Sequence, residues 1–387
     1  MTALTHRKRF LNLINGEKVD KVPFFPDLSK WYEANRYGEG PRERNYLPGE
    51  LIAPEDTINR LPGQALPARF RGKNIFEIHA ALDCGIPVHG YDIFYKTTYR
   101  NSEIIEKHSP ERVTTVIRTS KGELREIKGM AADHSQAILE HFVKSEGDLD
   151  ILTHIVQDTV YSPNFGRVEK ALSIIGESGY LNLIIPRSPM GRLIHNYMGV
   201  EAVTYALMDY PEKMQCLLDI MREKDREVWT LATAAPGKIA FMADNMDEFL
   251  ISPDWYRSYF LPVYQEMNAL LHRANKKVLT HMDGRLKNIL PMIPDSGFDV
   301  LDGCTPSPVG NYEPRELYAA LGRGQYAYCG VPAALFIEEN SERRVLDFTR
   351  KILDEMGDKL ILNVGDIMPE KGNIDIIEKM SDRVNQR

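Results

Sequence analysis

The chain has 387 residues, 43% hydrophobic and 27% charged, with a formal net charge of -7. That is an ordinary globular composition with no excess of positive charge, so nucleic acid is not an expected partner. Apolar runs such as Leu181 to Pro186 are too short to span a bilayer, and no apolar segment follows the basic start MTALTHRKRF, so neither a membrane partner nor a signal peptide is expected.

Taken in chain order, short β-type runs alternate with helical patterns. The first run is Val22 to Asp27. Residues 28–75, rich in Pro, Gly, Arg and Tyr, read as a long excursion after it, a lid or an interface element. A second run spans Tyr91 to Lys96. Extended runs then follow over residues 97–128, with Lys121-Gly122 between two of them as a hairpin signal; this predicts an antiparallel insertion on the rim of the fold. After Leu181 to Arg187 comes a helical stretch, Val200 to Thr233, interrupted near Pro211. The run Lys238 to Asp244 precedes Ser252-Pro253-Asp254, an N-cap with proline at the first helical position, which opens a helix to Ala274. Lys277 to His281, Phe298 to Asp302 and Gln325 to Gly330 are the next runs. An amphipathic helix over Ser341 to Met356 leads to the last, Lys359 to Val364.

Eight strand–helix units imply an α/β fold with a parallel sheet closed as a (β/α)₈ TIM barrel, one domain over residues 1–387. An open doubly wound sheet is the alternative, but no Gly-rich fingerprint follows the first strand. Cys84, Cys216, Cys304 and Cys329 lack CxxC spacing; each reads as a small buried hydrophobe in a reducing compartment, and the cytoplasm is the expected location.

In a barrel, chemistry collects where strands run into the following loops. Those positions hold Asp27, Asp92, Arg187, Asp244 with Asn245, His281 with Asp283, Asp302 with Thr305, and Asp366. A single charged strand end is ordinarily a helix cap or a rim ion pair. A convergent set of acids needs a metal, a proton or a cationic ligand. The run Lys277 to Gly284 delivers His281 and, two residues on, Asp283, which point the same way in extended geometry. They can serve as two metal ligands or as a base and its orienting partner; the bland reading is a strand-capping histidine with Asp283 capping the next helix. Asp244 ends a buried run and is expected to face the mouth, and Asp366 follows Gly365 at the end of the last strand.

These residues also carry a resemblance. The stretch Asn15-Gly16-Glu17-Lys18-Val19-Asp20-Lys21-Val22-Pro23, Met198-Gly199, Asp209-Tyr210-Pro211-Glu212, Ile251-Ser252-Pro253, the strand ending at His281, and Gly365 to Pro369 are similar to the uroporphyrinogen-decarboxylase superfamily over nearly the full length. True decarboxylases of that superfamily carry an arginine-rich N-terminal stretch for the carboxylates of a tetrapyrrole. Here the corresponding stretch is Phe24-Phe25-Pro26-Asp27-Leu28-Ser29-Lys30-Trp31. The segment Thr119 to Glu126, with Phe142 to Ser145 and Asp148-Leu149, looks more like the corrinoid-dependent methyltransferases, especially ether O-demethylases.

The resemblance implies methyl transfer from a small methylated donor, such as a methoxy-aromatic, to cobalamin carried by a separate corrinoid protein. It also implies zinc, held in several members by His-x-Cys and a distant cysteine. His281 is kept, while Asp283 and Asp366 stand at or beside the other positions, giving His281, Asp283 and Asp366 as the expected metal ligands. His281, Asp244 and Asp283 are the expected catalytic groups, and Phe25, Asp27, Tyr95, Arg187, Tyr197 and Asn245 the expected substrate contacts, with Tyr99 a further aromatic candidate. The rival expectations are a metal-independent decarboxylase and a non-catalytic corrinoid or tetrapyrrole binder.

Overall fold

The computed structural model describes residues 3–37, 66–109, 111–130 and 136–386. Most of the excursion expected at residues 28–75 therefore lies outside the described residues. The chain divides into two compact units, Met1–Phe94 with Phe165–Ile184 and Ala235–Arg387, and Tyr95–Asn164 with Ile185–Ala234.

The first unit is built on a seven-stranded parallel sheet. Its strands are β1 (Ile86–Gly90), β8 (Gly179–Ile185), β9 (Ile239–Ala243), β10 (Lys277–His281), β11 (Val300–Asp302), β12 (Tyr326–Pro332) and β13 (Leu360–Gly365), hydrogen-bonded in that order. β8, β12 and β13 are buried along their whole length, which is why they read as continuous apolar runs rather than alternating ones. The helices expected between the strands are present: Ser252 caps a helical turn by accepting from the Trp255 N–H, and helix continues through Leu261–Arg273. The stretch Ser341–Met356 is a helix with the bounds the sequence gives it.

Two strands differ from expectation, and proline explains both. The run Val22 to Asp27 contributes a single bridge, Phe24 to Leu362. Pro23 and Pro26 carry no N–H to donate, so pairing is confined to the short stretch from the Pro23 carbonyl to Phe25. The Phe25 N–H donates to Leu362 O, the Leu362 N–H to Pro23 O, and the Gly85 N–H to Phe24 O. The second parallel strand is not Tyr91 to Lys96 but Ile86–Gly90, where Pro87 and the closing glycine hide the strand from a propensity reading. Asp92 falls in the turn after it, with φ of 48°, and Tyr95 begins a separate strand.

The N-terminal ends of the strands are closed by apolar packing. A helix at His6–Ile14 inserts Phe10, Leu13 and Ile14 among Phe25, Tyr180, Ile239, Tyr326 and Ile361. Phe10 is fully buried and stacks on Tyr180 at 3.9 Å, and a side chain buried to this extent contributes roughly 1.5–3 kcal/mol. With one end sealed, polar groups are left to the other.

The second unit contains the antiparallel pair β2 (Tyr95–Tyr99) with β7 (Thr159–Pro163), and a four-stranded antiparallel sheet. The latter comprises β3 (Glu103–His108), β4 (Arg112–Thr119), β5 (Gly122–Met130) and β6 (Gln136–Glu140). β4 and β5 form the hairpin expected in the sequence, but turn at Ser120-Lys121, one residue before the Lys121-Gly122 pair, with Thr119 opposite Gly122. The stretch Val200–Asp209 and Pro211–Ala234 forms two helices divided at Tyr210-Pro211. No helix among the described residues is long and apolar enough to cross a membrane. Cys84, Cys304 and Cys329 are buried as expected, whereas Cys216 is exposed.

Candidate active site

Strand β10 alternates between two faces, so Leu279 and His281 share one side. Leu279 belongs to the core cluster, and His281, two residues on, reaches the C-terminal end of the sheet. In the parallel register His281 lies opposite Asp302 of β11. Their side chains meet, Nδ1 to Oδ2, at 3.1 Å. A carboxylate oxygen only accepts, so Nδ1 carries a proton and Nε2 is turned the other way. The ring has room because residue 303 is glycine: a Cβ there would stand 2.5 Å from His281 Cε1, and φ is +74°.

The outward nitrogen, Nε2, faces two more carboxylates, Asp283 Oδ1 and Asp366 Oδ2, each at 3.8 Å. Both of these side chains are open to solvent, at 42% and 43%, whereas Asp302 is 5% exposed. Burial opposes a charge on His281. Its hydrogen bond to Asp302 and the negative charges of Asp366, Asp302 and Asp283 outweigh burial and raise its pKa to about 10. Partial desolvation of the Asp366 carboxyl, against the pull of His281 and with the charges of Asp302, Asp27 and Asp283, lifts it to about 7. At neutral pH the centre holds the His281 imidazolium, with Asp366 near the midpoint of its own titration.

A second cluster lies on β1, β8 and the segment after Phe25. His89 and Asn182 are register partners. The Asn182 Nδ2 donates to His89 Nδ1 at 3.3 Å, which places the imidazole proton on Nε2, 3.8 Å from Asp27 Oδ2. Asn363 of β13 ties the two clusters together. Its Oδ1 accepts from the Asp27 N–H at 2.9 Å and its Nδ2 donates to Asp366 O at 3.1 Å. Phe241 touches both imidazoles, with ring centroids 5.3 Å from His89 and 6.4 Å from His281.

The structure thus brings together His281, Asp283, Asp366 and Asp27 of the residues singled out in the sequence. Asn245 joins them through its N–H, which donates to His281 O at 3.3 Å. Asp244 is fully buried and accepts from the Tyr264 hydroxyl at 2.7 Å, so its carboxylate is engaged with the helix layer instead of facing the mouth. Phe25 is a core residue, fully buried between Phe10 and Tyr180. Tyr95, Tyr99, Arg187 and Tyr197 belong to the second unit, where Tyr95 packs edge-on to Tyr161 and Tyr197 against Phe142.

Sequence reasoning missed His89, which sits on the unrecognised strand. Asn182 and Asn363 did leave a signal: each is a lone amide inside an apolar strand, Leu181-Asn182-Leu183 and Leu362-Asn363-Val364. Asp302 was marked as a strand end but not as the partner of His281.

The expected zinc site was His281, Asp283 and Asp366. A tetrahedral zinc with nitrogen and oxygen ligands sets its donor atoms about 3.4 Å apart. The two separations here are 3.8 Å, and among the described residues no group of three His, Cys, Asp or Glu side chains is arranged to hold a metal ion. As placed, the donor set does not fit zinc.

Residues 188–387 match the sequence profile of the family described as uroporphyrinogen decarboxylase (URO-D). Comparison with curated proteins gives no match. Among solved structures, a methyltransferase from Methanosarcina mazei is similar over 99% of both chains, with 15% identity and a TM-score of 0.59. At that identity the likeness shows a common fold. A GH5-4 broad-specificity endoglucanase from Bacteroides salanitronis aligns over 98% of this chain and 96% of its own, with 9% identity and a TM-score of 0.38. That resemblance is too distant to carry an argument.

Proposed function

The chain belongs to the uroporphyrinogen decarboxylase (URO-D) family, and on that footing we propose that it is a methyltransferase that takes a methyl group from a small methyl ether and passes it to a corrinoid carried by a partner protein. The observation that carries this reading is His281, with Nδ1 hydrogen-bonded to Asp302 and Nε2 facing Asp283 and Asp366 at the strand ends, carboxylates that favour its protonated form. Breaking a methyl ether leaves both C–O bonding electrons on oxygen while the methyl goes to the reduced cobalt of the acceptor. The developing alkoxide or phenoxide needs a cation and a proton.

His281 Nε2–H can supply both. A donor with a pKa of about 10 is matched to a phenolic leaving group, whose pKa is also about 10. Asp302 acts through His281 by fixing its tautomer and orientation, and so is a positioning residue. No step is assigned to zinc, because the carboxylates beside Nε2 are spaced too widely for it.

Decarboxylation of a polycarboxylate is the less favoured reading. The stretch Phe24 to Trp31 has no arginine, and the strand ends converge on Asp27, Asp283, Asp302 and Asp366, charges that repel an anionic substrate. We also take the parallel sheet as a (β/α)₈ barrel whose eighth position is the Pro23–Phe25 segment, and the whole chain as one domain.

The test is loss of cob(I)alamin absorbance on adding a panel of methyl ethers. Turnover in the wild type, lowered about 10²-fold or more in His281→Ala, supports the reading. Carbon dioxide release from a porphyrinogen, with no demethylation, overturns it.

A further inference from the structure

The His89 cluster has no task in the reaction just described, yet it has the form of a binding subsite. Its Nδ1 is occupied by Asn182, so Nε2–H is the one ring donor left. The acceptor nearest it, Asp27 Oδ2, is 3.8 Å away, beyond hydrogen-bond reach. The Asn182 Oδ1 is fully buried and has no hydrogen-bond partner, an arrangement that costs free energy unless a ligand or water answers it. His89 and Asp27 are not sealed off, with side-chain exposures of 16% and 13%.

Asp27 is also held firmly. Its N–H donates to Asn363, its O accepts from the Met368 N–H, and its Oδ1 accepts from the Ser29 N–H. The gap between His89 and Asp27 is therefore a fixed feature of the strand ends.

From this we infer that His89 and Asp27, with Asn182 holding the His89 ring, form a subsite for a free hydroxyl group on the methyl donor. One oxygen at about 2.8 Å from both His89 Nε2 and Asp27 Oδ2 closes a triangle across the 3.8 Å gap. A hydroxyl can accept from Nε2–H and donate to the carboxylate at the same time. A ligand carboxylate would meet the charge of Asp27, and an ammonium would have nothing to accept the His89 proton. An ether oxygen at this point could accept from His89 but would give Asp27 no donor, and a methyl group would satisfy neither partner. Phe241, buried in the core, packs against both imidazoles, so the hydroxyl end at His89 and the methylated oxygen at His281 would lie about one shared ring. The inference rests on the methyl-transfer reading for the identity of the other end of the ligand, but the subsite itself is tested by binding.

The experiment is calorimetric titration of the full chain, without corrinoid, using 2-methoxyphenol and 1,2-dimethoxybenzene, which differ only in the free hydroxyl. The wild type should prefer 2-methoxyphenol by about 10-fold or more. His89→Leu and Asp27→Asn should each reduce the preference to within about 2-fold, chiefly by weakening 2-methoxyphenol, and His89→Gln, which keeps an N–H donor, should retain part of it. No preference in the wild type, no binding of either compound, or a preference that survives in both His89→Leu and Asp27→Asn overturns the subsite. Hydroxyl-dependent binding without methyl transfer would count against the methyltransferase reading alone. Equal affinity with methyl transfer intact would count against the subsite alone.

Discussion

His281 on β10 and Asp302 on β11 are opposite residues in the parallel register, and their side chains close that register with an Nδ1 to Oδ2 contact of 3.1 Å. The pairing sets both the tautomer and the charge of the imidazole, which is why the acid of the site depends on a residue 21 positions away. It also has a signed pH consequence. The pKa of His281 is raised from 6.5 to about 10, so the stability gained from its charged contacts is fully present below about pH 6.5 and is lost as pH rises through about 10. Asp302→Asn should lower the His281 pKa and bring that loss to lower pH. In methyl transfer it should reduce kcat about 10²-fold at pH 7 and move the high-pH limb of the rate profile downward. An unchanged profile would mean that Asp302 only supports the fold.

Gly303 is expected to be sensitive for a different reason. A Cβ at this position collides with His281 Cε1 at 2.5 Å, on a backbone with φ of +74°. Gly303→Ala should displace the imidazole from Asp302 and lower turnover about 10²-fold, with a loss of about 1–2 kcal/mol in unfolding free energy from the left-handed backbone. Denaturant unfolding together with the demethylation assay checks both. Full activity would show that the ring can move without consequence.

Much of this was legible in the sequence because the strands are buried on both faces. Lys277–His281 was read with its observed bounds, since a β-favouring run of Val, Leu and Thr ends on a histidine. Ser341–Met356 was readable from its helical periodicity. Ile86–Gly90 was not: Pro87 and Gly90 argue locally for a turn, and the strand exists because β8 pairs with it along its length, with Gly85 just before it bonded to Phe24. That miss concealed His89. Asp244 was misjudged in orientation because one residue along a strand reverses the face, and Ala243, not Asp244, packs towards the core cluster. Asp302 could not be joined to His281 without the register, which no local pattern contains.

The spacing of the carboxylates around Nε2 bears on metal content. Protein purified without chelator should hold well under one zinc per chain, and a chelator should leave methyl transfer unchanged. Stoichiometric zinc that disappears in His281→Ala would contradict this and would require Asp283 and Asp366 to close in on the ring.

The central claim is that His281 is a cation at working pH, and ¹⁵N NMR of histidine-labelled protein tests it most directly, with His281→Gln used to assign the signal. The account predicts that both ring nitrogens of His281 keep imidazolium shifts at pH 8 and titrate together near pH 10. A ring that is neutral at pH 8, titrating near 6.5, would contradict it.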